Sequence, residues 1–177
     1  MKQFFLAGIC LLLLTNAIAQ PITPLSFPQN LIGHWTGELE WSPVGKPVQK
    51  VHMELHILPS KDSAGQYTWN LIYGTAGADN RPYVLKAVDS SKGHWVIDER
   101  NGIVLDQFWI GNRLIGSFSV GEVTIVNSYW LKNQELELEF ISYDRKPLLT
   151  TGHGTEDSPK VDSYSIRSYQ KATLKRK

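Results

Sequence analysis

Cysteine is nearly missing from this 177-residue chain: the only one, Cys10, lies in the first apolar segment. Past that segment no thiol remains for a disulfide, a thiolate metal site or a cysteine nucleophile, so the core alone must hold the fold. Ile9 rather than a small residue precedes Cys10, and the apolar run continues after it, which argues against a lipid-modified cysteine. An excess of charge of one sign is missing too. Eighteen Lys and Arg, one of them Lys2, stand against seventeen Asp and Glu, and no basic block marks a site for nucleic acid or an anionic membrane. Long apolar runs are confined to residues 4–14, short of the ~20 needed to span a bilayer. Gly-x-Ser-x-Gly, phosphate loops and sustained helical periodicity are also lacking.

What is present starts with an export leader. Lys2 supplies a positive n-region, residues 4–14 an apolar h-region, and Ala17-Ile18-Ala19 a small-x-small cleavage site. We read residues 1–19 as a signal peptide, which places the mature protein in the periplasm or outside the cell, with no transmembrane segment after cleavage. Residues 20–32 read as an extended lead-in of the kind that lies across a barrel end, and residues 33–177 as a single domain. A mature domain of roughly 160 residues buries about 70% of its extended-chain surface, enough for one core.

From Trp35 onward the pattern has period two, broken by frequent turn residues. Trp35, Gly37, Leu39 and Trp41 alternate with polar neighbours, as do Val51, Met53, Leu55 and Ile57, then Tyr67, Trp69, Leu71 and Tyr73. The expected fold is all-β, an up-and-down antiparallel barrel of about eight to ten strands. Asn101-Gly102, Gly111-Asn112, Gly121-Glu122 and Asn133-Gln134, taken as two-residue turns, carry side-chain facing across five strands. They pair Arg100 with Ile103, Ile110 with Arg113, Val120 with Val123, and Lys132 with Glu135. One face then collects Val96, Ile103, Leu105, Trp109, Leu114, Phe118, Val120, Val123, Ile125, Leu131, Leu136, Leu138 and Phe140. The opposite face collects Arg113, Ser117, Ser119, Thr124, Ser128, Glu135, Glu137 and Glu139. Because a one-residue slip inverts a strand, this segregation identifies the apolar face as the interior.

The same register turns His94, Asp98, Gln107, Asn127 and Tyr129 inward. Buried polar groups cost about 1–3 kcal/mol each when unpaired, so these five bond one another, water or a ligand. With Trp69, Tyr73 and Tyr83 from neighbouring strands they form the candidate ligand-binding set; each aromatic taken alone reads first as an ordinary core residue. Trp95, Phe108 and Trp130 fall on the outer face, where they could form an interaction patch.

Other constellations lead nowhere specific. His52 and His56 lie four apart on a strand, about 13 Å, too far to share one metal ion, and they alternate outward. His153 sits between two glycines in a loop and reads as an exposed side chain. Glu99 and Asp106 face away from Asp98 in this register, so no acid–base pair converges and no catalytic residue is assigned.

Leu31-Ile32-Gly33-His34-Trp35, followed by Thr36-Gly37-Glu38, is similar to the first strand of lipocalin-like (calycin) barrels, and more distantly to nitrobindin-type haem barrels. The resemblance implies structural roles for Gly33 and Trp35, with Trp35 closing one barrel end beneath an arginine of the last strand, Arg176 or Arg167 here. Ala172-x-Leu174-x-Arg176 also resembles the last nitrobindin strand. Those proteins carry a haem-ligating histidine three residues before that alanine, where this chain has Tyr169, so no cofactor is implied. Asp79-x-Arg81-Pro82-Tyr83 is similar to a short stretch of the bilin chromophore lyases of the same superfamily.

These readings converge on an exported barrel that binds a small hydrophobic or amphipathic molecule, rather than an enzyme. The inner volume is decisive for that role: side chains filling the barrel, with no pocket of about 300 Å³ or more, would remove it. The alternatives are a calycin-type haem protein or enzyme using His94, Asp98 and Asn127, or a filled barrel acting as an envelope or interaction module.

Overall fold

The computed structural model describes residues 26–177, so the expected signal peptide and the start of the lead-in lie outside it. Ten strands close into an antiparallel barrel: β1 (Gly33–Pro43), β2 (Gln49–Ile57), β3 (Gln66–Tyr73), β4 (Asp79–Asp89), β5 (His94–Asp98), β6 (Val104–Ile110), β7 (Arg113–Val120), β8 (Val123–Lys132), β9 (Glu135–Asp144) and β12 (Ile166–Arg176). A small hairpin, β10 (Leu149–Thr151) with β11 (Val161–Ser163), stands apart from the wall between β9 and β12. β12 pairs with both β1 and β9, so no wall edge is left to recruit another chain. Among the described residues no helix is long and apolar enough to cross a membrane.

The period-two pattern forms these strands because alternate residues can be buried together. Met53, Leu55 and Ile57 are fully buried while His52, Glu54 and His56 face out. Leu136 and Leu138 alternate with Glu135, Glu137 and Glu139 in the same way. Each such aliphatic side chain contributes about 1.5–3 kcal/mol on leaving water.

One end of the barrel is plugged. A single 3₁₀ turn, Gln29–Leu31, crosses it and buries Leu31 beside Trp35. Trp35 Nε1 donates to the Leu31 carbonyl at 2.8 Å, and the Arg176 guanidinium lies 4.5 Å from the ring centroid. Arg176 also donates to the Asn30 carbonyl at 3.2 Å. Gly33 gives the arginine room, since a Cβ there would stand 3.2 Å from its Nε. Next to this plug Phe27 stacks on Trp109 at 4.4 Å and meets Trp95 edge-on at 4.9 Å. His34 lies on the outer side, its ring against His56 at 4.4 Å.

Three of the four expected hairpin registers are observed: Ile110 pairs with Arg113, Val120 with Val123, and Lys132 with Glu135. The fourth is not. Glu99, rather than Arg100, faces Ile103, and its N–H donates to the Ile103 carbonyl at 3.0 Å across a three-residue loop. Asp98 Oδ1 accepts from the Arg100 N–H at 2.7 Å and Asn101 Oδ1 from the Ile103 N–H at 2.9 Å. These side-chain bonds widen the Asn101-Gly102 turn by one residue, with Arg100 at φ 62° and Gly102 at φ 99°. An odd loop inverts the strand before it. On β5, Trp95 and Ile97 therefore point inward, and His94, Val96 and Asp98 point outward.

Candidate functional site

The end opposite Trp35 is open, and a cavity of about 230 Å³ descends from it. Its upper wall comes from Tyr73 at the end of β3, Arg81 and Tyr83 at the start of β4, Glu99 just after β5, and Phe118 on β7. Deeper, Trp69, Gln107, Asn127 and Tyr129 converge from β3, β6 and β8, with Phe140 of β9 beside Asn127. The volume is below the ~300 Å³ expected of a pocket for a drug-sized ligand. It is larger than the ~150 Å³ apolar cavity that admits benzene.

The floor depends on a glycine. Gln107, Gly116 and Asn127 are cross-strand neighbours on β6, β7 and β8. A Cβ on Gly116 would overlap the Gln107 amide and stand 2.5 Å from Asn127 Oδ1, so only glycine lets the two carboxamides meet above the middle strand. Asn127 Nδ2 donates to Gln107 Oε1 at 3.1 Å. Gln107 Nε2, Asn127 Oδ1 and the nearby Trp69 Nε1 are buried and have no protein partner. The Trp69 ring meets Tyr129 edge-on at 4.9 Å, and Tyr129 meets Phe140 at 5.8 Å, fixing the aromatic walls. Burial pushes the Tyr129 phenol well above the ordinary tyrosine range and Tyr73 up to about 12, so both stay protonated near neutrality.

The mouth is charged. Asp79 grips Arg81 with two hydrogen bonds, 3.0 Å to Nε and 2.6 Å to Nη2, and the guanidinium lies 5.0 Å from the Tyr73 ring centroid. Burial raises the Tyr83 phenol, with the Glu99 carboxylate adding to the effect. Exposed apolar side chains flank the opening: Trp41 is 36% exposed beside cavity-lining Gln170, Val120 lies two residues beyond Phe118, and Ile103 faces Glu99.

Of the eight residues named from the sequence as ligand-contacting, Trp69, Tyr73, Tyr83, Gln107, Asn127 and Tyr129 line this cavity. His94 and Asp98 do not. His94 lies on the outer face, stacked on Phe108 at 4.8 Å, with Nε2 2.7 Å from Asp106 Oδ1. Asp98 pairs outside with Lys86, which holds its carboxyl below the usual range. Asp106 therefore shares a face with Asp98, contrary to expectation, because β5 is inverted. The expected outer patch of Trp95, Phe108 and Trp130 is broken for the same reason, since Trp95 is buried against Phe27. Trp130 is covered by Arg113, whose guanidinium sits 3.9 Å over the ring.

Arg81 and Glu99 were missed. Arg81 was legible, since it lies two residues before inward Tyr83 on one strand. Glu99 was hidden by the misjudged turn. Tyr169 also lies outside the barrel, donating to Glu139 Oε1 at 2.8 Å. Arg176, not Arg167, covers Trp35; Arg167 pairs with Asp144 instead. His52 and His56 both contact the Glu54 carboxylate on the outer face, at 3.3 and 2.8 Å.

Solved structures with a similar barrel include the following two. A protein of unknown function from the DUF3598 family of Nostoc punctiforme superposes with a TM-score of 0.59 at 14% identity, over 88% of this chain and 50% of that one. An S-type phycobiliprotein lyase from Guillardia theta superposes with a TM-score of 0.53 at 10% identity, over 84% of this chain and 89% of that one. The likeness is one of fold. This chain spans about half the length of the Nostoc protein. No family model and no curated protein matches the sequence. The lipocalin-like architecture expected from Gly33 and Trp35 is the architecture observed.

Proposed function

We propose that this chain is an exported, non-enzymatic barrel that holds a small amphipathic molecule, its apolar part in the cavity and its polar part at the mouth. The observation that carries this reading is the aromatic-walled cavity, open at one end of a barrel whose other end is sealed by Leu31 and Trp35. Side chains do not fill this barrel: about 230 Å³ stays open among walls that include Tyr83, Phe118 and Tyr129, short of ~300 Å³ but enough for a small ligand. Catalysis finds little support at this site. The cavity lining has no histidine or cysteine, and its one serine, Ser142, is hydrogen-bonded to Ser168 at 2.7 Å.

The volume limits the ligand. A group of one or two rings fits, and a bilin-type molecule, the class suggested by the lyase likeness, would enter by one end only. Haem fits poorly: Tyr169, the position the nitrobindin resemblance singles out, cannot reach the interior from the outer face.

The test is extraction of the natively exported protein followed by mass spectrometry of the extract. A small molecule should co-purify with the wild-type chain and be lost from Phe118→Trp, which fills the cavity while keeping an aromatic wall. An extract with no molecule that differs between the two proteins would sink the binding role.

A further inference from the structure

Exposed apolar side chains are unevenly spread over this barrel. Among the described residues fifteen large ones are exposed, and only Val88, Phe108 and Ile110 lie in the half nearer the Trp35 plug. The other twelve belong to the open half or to the connection that leaves it between β9 and β12. The three most exposed stand on three different loops of that end. Leu148 is 73% exposed after β9, Val44 65% between β1 and β2, and Val120 63% at the β7–β8 turn. Val48 and Leu149 extend the first two of these groups. Trp41 and Tyr164, aromatics of the kind enriched where lipid headgroups meet acyl chains, join them.

The charges at this end are sorted to match. Four of its carboxylates are neutralised within the protein: Asp79 by Arg81, Asp98 by Lys86, Glu122 by Lys146 and Asp144 by Arg167. Glu99 and Asp162 are hydrogen-bonded by Asn101 and Thr150, and Glu156 and Asp157 lie in the turn of the β10–β11 hairpin. The cations beside the apolar tips are left over. Lys46 lies between Val44 and Val48, Arg100 shortly before Ile103, and Arg145 shortly before Leu148. None of the three has a carboxylate partner among the described residues.

We propose that the open end of the barrel docks on the surface of a phospholipid bilayer, its aliphatic tips entering the acyl edge and Lys46, Arg100 and Arg145 meeting the phosphates. The apolar groups stand on separate tips around an opening rather than on one continuous face, an outline that a fluid lipid layer follows better than a protein surface does. With eighteen Lys and Arg against seventeen Asp and Glu, apolar entry rather than net charge carries the contact. Docking stands on the rim alone, whether or not the cavity holds a molecule.

The experiment floats the full chain with phosphatidylcholine vesicles on a density gradient, at low and at high salt. The chain should float at both, because salt does not screen apolar entry. Val44→Ser with Val48→Ser, and separately Leu148→Ser with Leu149→Ser, change exposed side chains only; each pair should weaken partitioning at least about tenfold. Val88→Ser with Ile110→Ser, towards the plugged end, should float as the wild-type chain does, and so should Phe118→Trp. Residues 4–14 are common to every variant and produce no difference between them. Full flotation of both rim variants would overturn the proposal. So would a wild-type chain that stays in the aqueous fraction or leaves the vesicles at high salt. A homodimer in light scattering that the rim variants split would give the rim to a second copy and overturn it too. Each of these failures leaves the cavity reading standing, since that is decided by the extracted molecule.

Discussion

Trp35 shows how far one side chain can be read from its neighbours. The alternation with Leu39 places it inside, but its partners come from elsewhere: the Leu31 carbonyl from the lead-in and Arg176 from the last strand. Trp35→Phe keeps the apolar bulk, strands the Leu31 carbonyl and weakens the cation–π contact. It should lower stability by about 1–3 kcal/mol, read as a shift of the urea midpoint. Gly116 is the opposite case, a residue whose importance lies in what it leaves open. Gly116→Ala would drive a methyl into the Gln107 and Asn127 amides, at a cost of about 1–3 kcal/mol in the same measurement. Nothing adjacent to Gly116 in the sequence announces this, because the two amides reach it from separate strands.

β5 carries the main correction. Asn101-Gly102 is a strong two-residue hairpin signal, yet Asp98 and Asn101 each capture a backbone N–H and open the turn to three residues. The misreading inverted the one strand, because side-chain facing has period two and any odd insertion inverts it. The strand's own composition held the better clue: Trp95 and Ile97 alternate with His94 and Asp98, and bulk belongs inside. Trp95→Ala should therefore cost about 3–5 kcal/mol in denaturant unfolding. His94→Ala, which removes a ring stacked on Phe108 and bonded to Asp106 on the outer face, should cost less than about 1 kcal/mol. Equal penalties for the two would restore the two-residue turn. Glu99 follows from the same inversion, since the residue after Asp98 is the one that enters the mouth.

Closure of the barrel joins the chain's extremes. Lys177 Nζ reaches Glu54 at 2.7 Å, and with His52 and His56 it holds that carboxyl down to about 2 from 4.5. A carboxyl whose folded value is depressed stabilises the fold above its unfolded value and loses that contribution as pH falls toward the folded one. Glu54→Gln should thus be less stable than the wild-type chain near pH 7, by about 1 kcal/mol for a partly exposed pair. The difference should shrink between pH 4.5 and about 2 in acid-titrated thermal unfolding. A difference that stays constant through this range would remove Glu54 as the cause. The sequence alone determined the all-β class, the inward sets of β2, β3, β8 and β9, and the inward facing of Trp35, because alternation and turn chemistry are local; that Trp35 plugs an end was implied by the resemblance to lipocalin-like barrels. Tertiary structure decided the facing of β5, the choice of Arg176 over Arg167, and the bare amide pair above Gly116. It also decided a cavity of about 230 Å³ in place of a filled core or a wider cup. Each of these depends on how far one strand slides against a neighbour and how closely opposite walls approach, distances that no single segment encodes.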